Sequence, residues 1–337
     1  MTKNDDGPPG PDSPYIYGLY RHLTRDLGWD VRVVIPSSQK SWIGKAYQIK
    51  DVINGRFYYP QDPDGSGETS EFSRSLKEGE LAEWILLDGT PATCANIALH
   101  NLYHGEIDLL ISGPNLGRNS SAAFALSSGT IGAALSSALS RVRSIALSYG
   151  TVLHPTPTTL HEPAHQLGAR IIQHLWKNWG ADEGGIRDGE IDLYNLNIPM
   201  IEGLLSEEGL KICWTHIWRN SYGRLFKANS PREAAVAAAN LSSAGPDSPS
   251  EDPAGSKTSA ADKQVTPRDV AKLSFRWGPD MSGIINPITS PIGSDGWAIA
   301  QGWVSVTPIR ASFAEPSAVQ PAQSAADVEA KLWKVKL

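Results

Sequence analysis

The first two thirds of this chain predict an α/β fold in which a mostly parallel sheet is covered by helices on both faces. Three observations carry that expectation. Short β-branched runs alternate with amphipathic stretches over residues 1–225, the order that builds strand–helix–strand units. The run Asp108-Leu109-Leu110-Ile111-Ser112 is apolar without alternation, as strands buried on both faces are. Polar, glycine-bearing segments then follow the strands at their carboxyl ends, where such sheets bind ligands.

Taken in order, Tyr15–Leu27 reads as a helix, with Ile16, Leu19, Tyr20, Leu23 and Leu27 on one face. Val31–Ile35 reads as a strand stopped by Pro36, and Pro60–Phe72 as an acidic, glycine-rich, mobile loop. Trp84–Leu87 is a short strand, Ala92–His104 a helix and Asp108–Ser112 the buried strand. An Ala-rich helix follows over Thr130–Leu139, then a strand over Ser144–Ser148. Glu162–Trp179 carries Leu167, Ile171, Leu175 and Trp179 at helical spacing, and Asp192–Ile198 is a strand ended by Pro199. Residues 1–227 thus form the α/β core. Residues 228–268 are rich in Ala, Ser, Pro and Gly and read as a disordered low-complexity insertion. Residues 269–337 complete the same domain as a C-terminal β extension. Order resumes there at Leu273–Trp277, with a strand over Trp303–Thr307 ended by Pro308 and a terminal helix over Ala325–Trp333.

The chain has 337 residues, 40% hydrophobic and 20% charged, enough for a sizeable core without disulfide staples. A net charge of −6 argues for neither nucleic acid nor an anionic membrane as partner. No apolar run reaches the ~18 residues of a membrane span. The acidic N-terminus has no apolar signal region, which points to the cytoplasm. Cys94 and Cys213 match no zinc or redox spacing and are expected to pack as small hydrophobes.

Four segments can carry chemistry. Asn4-Asp5-Asp6-Gly7 places two carboxylates at a turn, a set of hard oxygens suited to Mg²⁺, Mn²⁺ or Ca²⁺, though an ordinary acidic turn looks the same. Ser112-Gly113-Pro114-Asn115-Leu116-Gly117-Arg118-Asn119 follows the buried strand and offers Asn115, Asn119 and Arg118, or is simply a polar loop. Ser127-Ser128-Gly129-Thr130 precedes a helix and suits an anion, or only caps that helix. Ser41 lies just past the strand ending at Pro36 and can share the same crevice. His161-Glu162-Pro163-Ala164-His165 matches a zinc-protease pattern, but Pro163 belongs in a first helical turn and not inside a metal-binding helix. His100 and His104 read as a partly exposed helix face.

Together these segments resemble a known family. NDDG near the N-terminus, a serine after Ile35-Pro36, GTPATC at Gly89–Cys94, SGPN followed by GRN, SSGT before an Ala-rich helix, and GWVSVTP near the end occur in this order in the SurE phosphatases and 5′-nucleotidases. SWIGKAYQI, EWILLDGTPATC and FALSSGT look most like its fungal branch, where such a domain can be fused to a tubulin-tyrosine-ligase-like one. The resemblance implies a Rossmann-like, three-layer α/β/α fold and a metal-dependent phosphate monoester hydrolase of acid-phosphatase or 5′-nucleotidase type. It implies that Asp5, Asp6, Ser41 and Asn115 ligate one divalent cation, Mg²⁺ or Mn²⁺. It also implies that Asn119, Ser128, Gly129 and Thr130 hold the phosphate, and that Asp5 or Asp6 accepts the proton of the attacking water. The substrate would be a phosphorylated small molecule such as a nucleoside monophosphate, and the assembly a homodimer or tetramer with exchange near Trp303–Pro308. The sequence departs from the family at Pro114 and Ser121, where an apolar residue and a glycine are usual. It also departs before Asn4, where only Met1-Thr2-Lys3 stand in place of an apolar strand, so the first strand is expected to be truncated, in a chain that starts late or has been shortened. That stub motivates the alternative of a catalytically impaired binding or scaffold module, or of a nucleotide-binding regulator without hydrolysis.

Overall fold

The computed structural model describes residues 1–151, 156–228, 275–281 and 290–314. The core of the 228–268 insertion and the Ala325–Trp333 helix lie outside the described residues. The main sheet has six strands: β1 (Thr2–Lys3), β6 (Leu109–Leu116), β7 (Arg143–Thr151), β8 (Leu193–Met200), β12 (Val304–Ile309) and β9 (Ile212–Trp214), in that spatial order. The pairs from β1 to β8 are parallel, and β12 enters antiparallel to β8, as a C-terminal extension added to a parallel core. β1 is the expected stub: Thr2 and Lys3 pair with Ile111 and Ser112.

Alternation along the strands decides which helix covers which face. Leu109 and Ile111 of β6, Ile145 and Leu147 of β7, and Tyr194 and Leu196 of β8 face α1 (Ile16–Arg21) and α5 (His161–Lys177). Leu110 and Ala146 turn to the other side, toward α2 (Pro91–Ile97) and α4 (Gly129–Leu139). This is the three-layer α/β/α arrangement. α1 approaches α5 at Gly18, where a Cβ would stand 2.2 Å from Nε2 of His165. His165 is buried, and its Nδ1 lies 3.1 Å from the Tyr149 hydroxyl. Burial, and then the neighbouring His161 and His22, push its pKa down to about 3.

Pro163 does sit in the first turn of α5, and His100 and His104 are exposed. Among the described residues no three His, Cys, Asp or Glu side chains group as a metal cluster. Nor is any described helix long and apolar enough to cross a membrane. Cys94 is fully buried, whereas Cys213 on β9 is only half-buried, and neither forms a disulfide with a described residue.

Several elements differ from the sequence reading. Pro60–Phe72 is not a free loop: β3 (Gly55–Pro60) and β4 (Gly67–Ser70) pair antiparallel and join β5 (Trp84–Leu87) and β2 (Val34–Pro36) in a second sheet of order β2-β5-β3-β4. Solvent on one side of this hairpin permits the Gly-Glu-Thr-Ser composition that hides it. The buried strand β6 extends past Ser112 to Leu116, with an irregularity between Ser112 and Asn115. β8 and β12 continue through Pro199 and Pro308. Each proline sits where its strand is paired on one side only, since β12 covers β8 over residues 193–197 and β9 covers β12 over 304–306. The helix at Tyr15–Leu27 is α-helical only to Arg21. It continues as a wider π-type turn over His22–Asp26, where the Thr24 hydroxyl bonds back to Tyr20 O. Short elements the composition did not reveal are α3 (Ala122–Ser127), α6 (Asp295–Ala300) and the ribbon β10 (Phe226–Ala228) with β11 (Phe275–Trp277).

Candidate active site

The chain leaves β1 through a tight turn. The Asn4 side chain accepts from Gly7 N–H at 3.1 Å and donates to Gly7 O at 3.0 Å, and Gly7 has φ +92°. This self-bonded asparagine turn aims Asp5 and Asp6, which are 2% and 3% exposed. Each carboxylate is anchored by a different element. Asp5 Oδ1 accepts the Thr130 hydroxyl at 2.5 Å and Oδ2 the Thr130 N–H at 3.2 Å, at the start of α4. Asp6 Oδ2 accepts the Leu116 N–H at 2.9 Å, at the end of β6. The two side chains therefore point into the cleft between β6 and α4.

Gly113 makes the irregularity in β6 possible. Its φ is +126°, and a Cβ there would meet Leu147 O at 2.0 Å. The kink brings Asn115 to the cleft, where its Nδ2 donates to Gly117 O at 2.7 Å. That bond turns the amide's acceptor oxygen toward the remaining space. Asn119 is held on three sides. Its N–H donates to Asn197 Oδ1 at 2.7 Å, its Nδ2 to Ser148 Oγ at 2.8 Å, and its carbonyl accepts from Asn195 Nδ2 at 2.8 Å. Asn195 and Asn197 alternate on β8 and are fully buried. Two amides at i and i+2 in an otherwise apolar strand are the signal by which the sequence could have revealed them.

Ser41 arrives on the loop after β2, which is tied to the turn by Lys40 N–H to Asp5 O at 2.8 Å and to α3 by Gly44 N–H to Ser127 O at 2.7 Å. Ser41 Oγ is buried with no hydrogen-bond partner among the described residues. Ser128 caps α4, accepting from Ile131 N–H at 3.1 Å. Gly129 packs closely on Asp5: a Cβ would lie 3.0 Å from Asp5 Oδ2 and 2.8 Å from Pro91 Cγ.

One small cavity of about 20 Å³ is lined by Asp5, Ser41, Trp42, Asn115, Leu116, Asn119, Phe124, Ser127 and Ser128. It is room enough for a cation or a water. Asp5, Ser41, Asn115, Asn119 and Ser128 thus meet at one place. Asp6, Gly129 and Thr130 adjoin it through the Leu116 and Asp5 contacts. Thr130, expected at a phosphate, turns its hydroxyl to Asp5. A buried orphan hydroxyl, two buried carboxylates and an amide oxygen form an all-oxygen donor set that fits a hard divalent cation. The floor is completed by residues that composition does not mark. Asp295 is fully buried and accepts the Ser121, Trp218 and Gly296 N–H groups at 2.7, 2.9 and 2.7 Å, bracing the segment after Asn119. Burial raises its pKa, while those N–H groups act to lower it. Arg118 lies with its guanidinium 5.9 Å from the centre of the Phe124 ring.

Comparison with known proteins agrees with this architecture. The profile of the family described as Survival protein SurE matches residues 1–224. The protein named "Probable tubulin–tyrosine ligase PBY1" of Saccharomyces cerevisiae is 33% identical over 93% of this chain. The chain spans only 41% of that relative's length. The 5′-nucleotidase SurE of Desulfovibrio desulfuricans is 27% identical over 66% of this chain and 75% of its own. The crystal structure of the SurE protein from Aquifex aeolicus superposes with a TM-score of 0.55 at 19% identity, covering 93% of both chains, which speaks for the fold alone.

Proposed function

The chain belongs to the SurE family, and on that premise we propose that it is a divalent-metal-dependent phosphate monoester hydrolase of acid-phosphatase and 5′-nucleotidase type, acting on nucleoside monophosphates. The meeting of Asp5, Ser41, Asn115, Asn119 and Ser128 around one cavity carries this reading. Asp5, Asp6, Ser41 and Asn115 would hold one cation, Mg²⁺ or Mn²⁺. When bound, such a cation supplies charge that polarises a phosphoryl oxygen and acidifies a water.

The chain's own groups supply the rest. The start of α4 turns the positive end of the helix dipole to an anion, although its Thr130 and Ile131 N–H groups are already bonded to Asp5 and Ser128. Ser128 Oγ accepts from Ile131 and keeps its own proton to donate to a phosphoryl oxygen. Gly129 lets the start of α4 lie directly against Asp5, where no Cβ would fit. Asn119, locked by Ser148, Asn195 and Asn197, offers a fixed polar group opposite α4. Asp5 or Asp6 accepts the proton of the attacking water. We read the working assembly as a homodimer or tetramer in the cytoplasm.

Phosphate release from a panel of monoesters, with and without Mg²⁺ or Mn²⁺, tests this directly. EDTA and Asp6→Asn should each lower turnover by at least about a hundredfold; undiminished turnover in either refutes the mechanism. A second reading, an impaired binding module, draws on the two-residue β1. Against it, Asp5 and Asp6 are oriented by bonds from Thr130 and Leu116 and not by the length of that strand.

A further inference from the structure

The polar cavity has an aromatic wall that the hydrolysis itself does not need. Trp42, next to Ser41, and Phe124, on α3, line it directly. Their ring centres lie 5.7 Å apart. Trp277, from β11, sets its ring edge-on to Trp42 at 4.8 Å, and Tyr222 approaches Trp42 at 6.4 Å. These rings come from four separate stretches of the chain. They gather over a cavity whose floor is otherwise carboxylate, hydroxyl and amide.

Two features set this wall apart from ordinary core. The first is the backbone of Trp42, at φ +59°, a left-handed conformation that bulky residues rarely adopt. Strain of this kind persists where the surroundings hold it in place, and it concentrates at ligand sites. Here the loop is pinned at both ends by the Lys40–Asp5 and Gly44–Ser127 bonds. The second is exposure: Trp277 is 36% and Tyr222 44% exposed, although both touch the buried side of the site through Trp42. The rings are also held before any ligand arrives. The Tyr222 hydroxyl donates to Ala123 O at 2.8 Å and bonds the Ser127 hydroxyl, Asn220 Oδ1 accepts from Ala123 N–H at 2.9 Å, and Ala122 N–H donates to Trp218 O at 2.8 Å. Residues 218–222 thus strap α3, and with it Phe124, against the site.

The cavity itself has no room for a nucleoside. A nucleoside leaving group therefore lies outside the cavity, and Trp42 and Phe124 are the aromatic side chains among the residues that line it. From this geometry, and resting on the phosphatase reading above, we infer that Trp42, with Phe124 and Trp277 around it, is the specificity-determining surface of the site. It selects phosphomonoesters whose leaving group carries a planar aromatic ring, through stacking of a nucleobase on the indole. Such stacking is tolerant of base identity, because every base has a π face. The enzyme should therefore prefer nucleotides as a class and discriminate weakly among bases.

The test compares adenosine 5′-phosphate with ribose 5-phosphate, in which an anomeric hydroxyl replaces the base, in wild type, Trp42→Ala, Trp42→Phe and Trp277→Ala. The readout is the ratio of the two kcat/KM values. Wild type should favour the nucleotide. That preference should fall about tenfold in Trp42→Ala, the size base–aromatic stacking shows on alanine substitution. It should fall in Trp277→Ala as well, with the change in KM, and be largely kept in Trp42→Phe. Parallel losses on both substrates, or an unchanged ratio, would overturn the assignment and leave Trp42 as packing beside Ser41. If wild type turns over neither substrate, the hydrolase reading fails, and calorimetric binding of the same pair in Mn²⁺ decides the wall on its own. Tighter nucleotide binding that is lost in Trp42→Ala upholds it; equal affinities overturn it.

Discussion

Thr130→Val isolates one bond in the site. Valine keeps the branched shape of threonine but removes the hydroxyl that reaches Asp5 Oδ1 at 2.5 Å, while the backbone N–H to Oδ2 at 3.2 Å remains. Asp5 is 2% exposed, so bulk solvent does not reach the vacated position. A hydrogen bond to a charged group contributes about 1.5–3 kcal/mol, and an acceptor left unsatisfied in the interior costs its desolvation as well. The metal-free protein should lose about 2 kcal/mol in urea unfolding, with an unchanged m-value, since the same surface is exposed. The second consequence is for the cation. Groups that orient a metal ligand typically govern affinity by about 10–100-fold, so Mn²⁺ affinity measured by calorimetry should fall within that range. Thr130→Ser, which retains the donor, should keep most of both. If Thr130→Val binds Mn²⁺ as wild type does and melts at the same urea concentration, the Thr130–Asp5 bond does not hold the ligand set.

Other consequences are as direct. Gly129→Ala puts a Cβ 3.0 Å from Asp5 Oδ2 and 2.8 Å from Pro91 Cγ. Phosphate release should fall about tenfold or more, because a shift of ~1 Å at a reacting centre can cost a hundredfold; wild-type turnover would show that the close approach of Gly129 to Asp5 is not required. Gly18→Ala forces a Cβ to 2.2 Å from His165 Nε2 on a ring fixed by Tyr149. A loss of about 1–3 kcal/mol is expected from overpacking, visible as a lower Tm. His165 is buried neutral, with its pKa lowered from 6.5 to about 3. Between those values the unfolded state binds the extra proton, so this group's contribution is complete above pH 6.5 and is lost as pH falls toward 3. The full span is on the order of 5 kcal/mol. His165→Asn should flatten the pH dependence of stability in that window; an unaltered slope would place the acid sensitivity elsewhere.

Much of the framework was readable before any tertiary contact was known. Apolar periodicity identified the long helix ending near Lys177, because burial of one face is a local property that repeats at 3.6 residues, and unbroken apolar runs identified the Trp84–Leu87 and DLLIS strands. NDDG, SGPN and SSGT were legible as turns and helix starts for the same reason. Each is a short run whose glycine or capping residue announces a turn or a helix start, and the structure places a turn at Gly7 and a cap at Ser128. Where solvent covers one face the periodic signal fades, and the β3–β4 hairpin was hidden in what reads as a loop.

By itself, then, the sequence determined the α/β order and marked the first strand as truncated. Only the tertiary structure decided how the residues of the site are held. Asp5 is fixed by a threonine 125 positions away, Asp6 by a backbone N–H 110 away, Asn119 by amides 76 and 78 away, and the segment after it by Asp295, 174 positions from Ser121. The aromatic wall draws Trp42 and Trp277 together in the same way. Such pairings depend on strand order and on where the chain crosses between sheets. No local pattern encodes them, because side-chain periodicity records which face is buried but not what it is buried against.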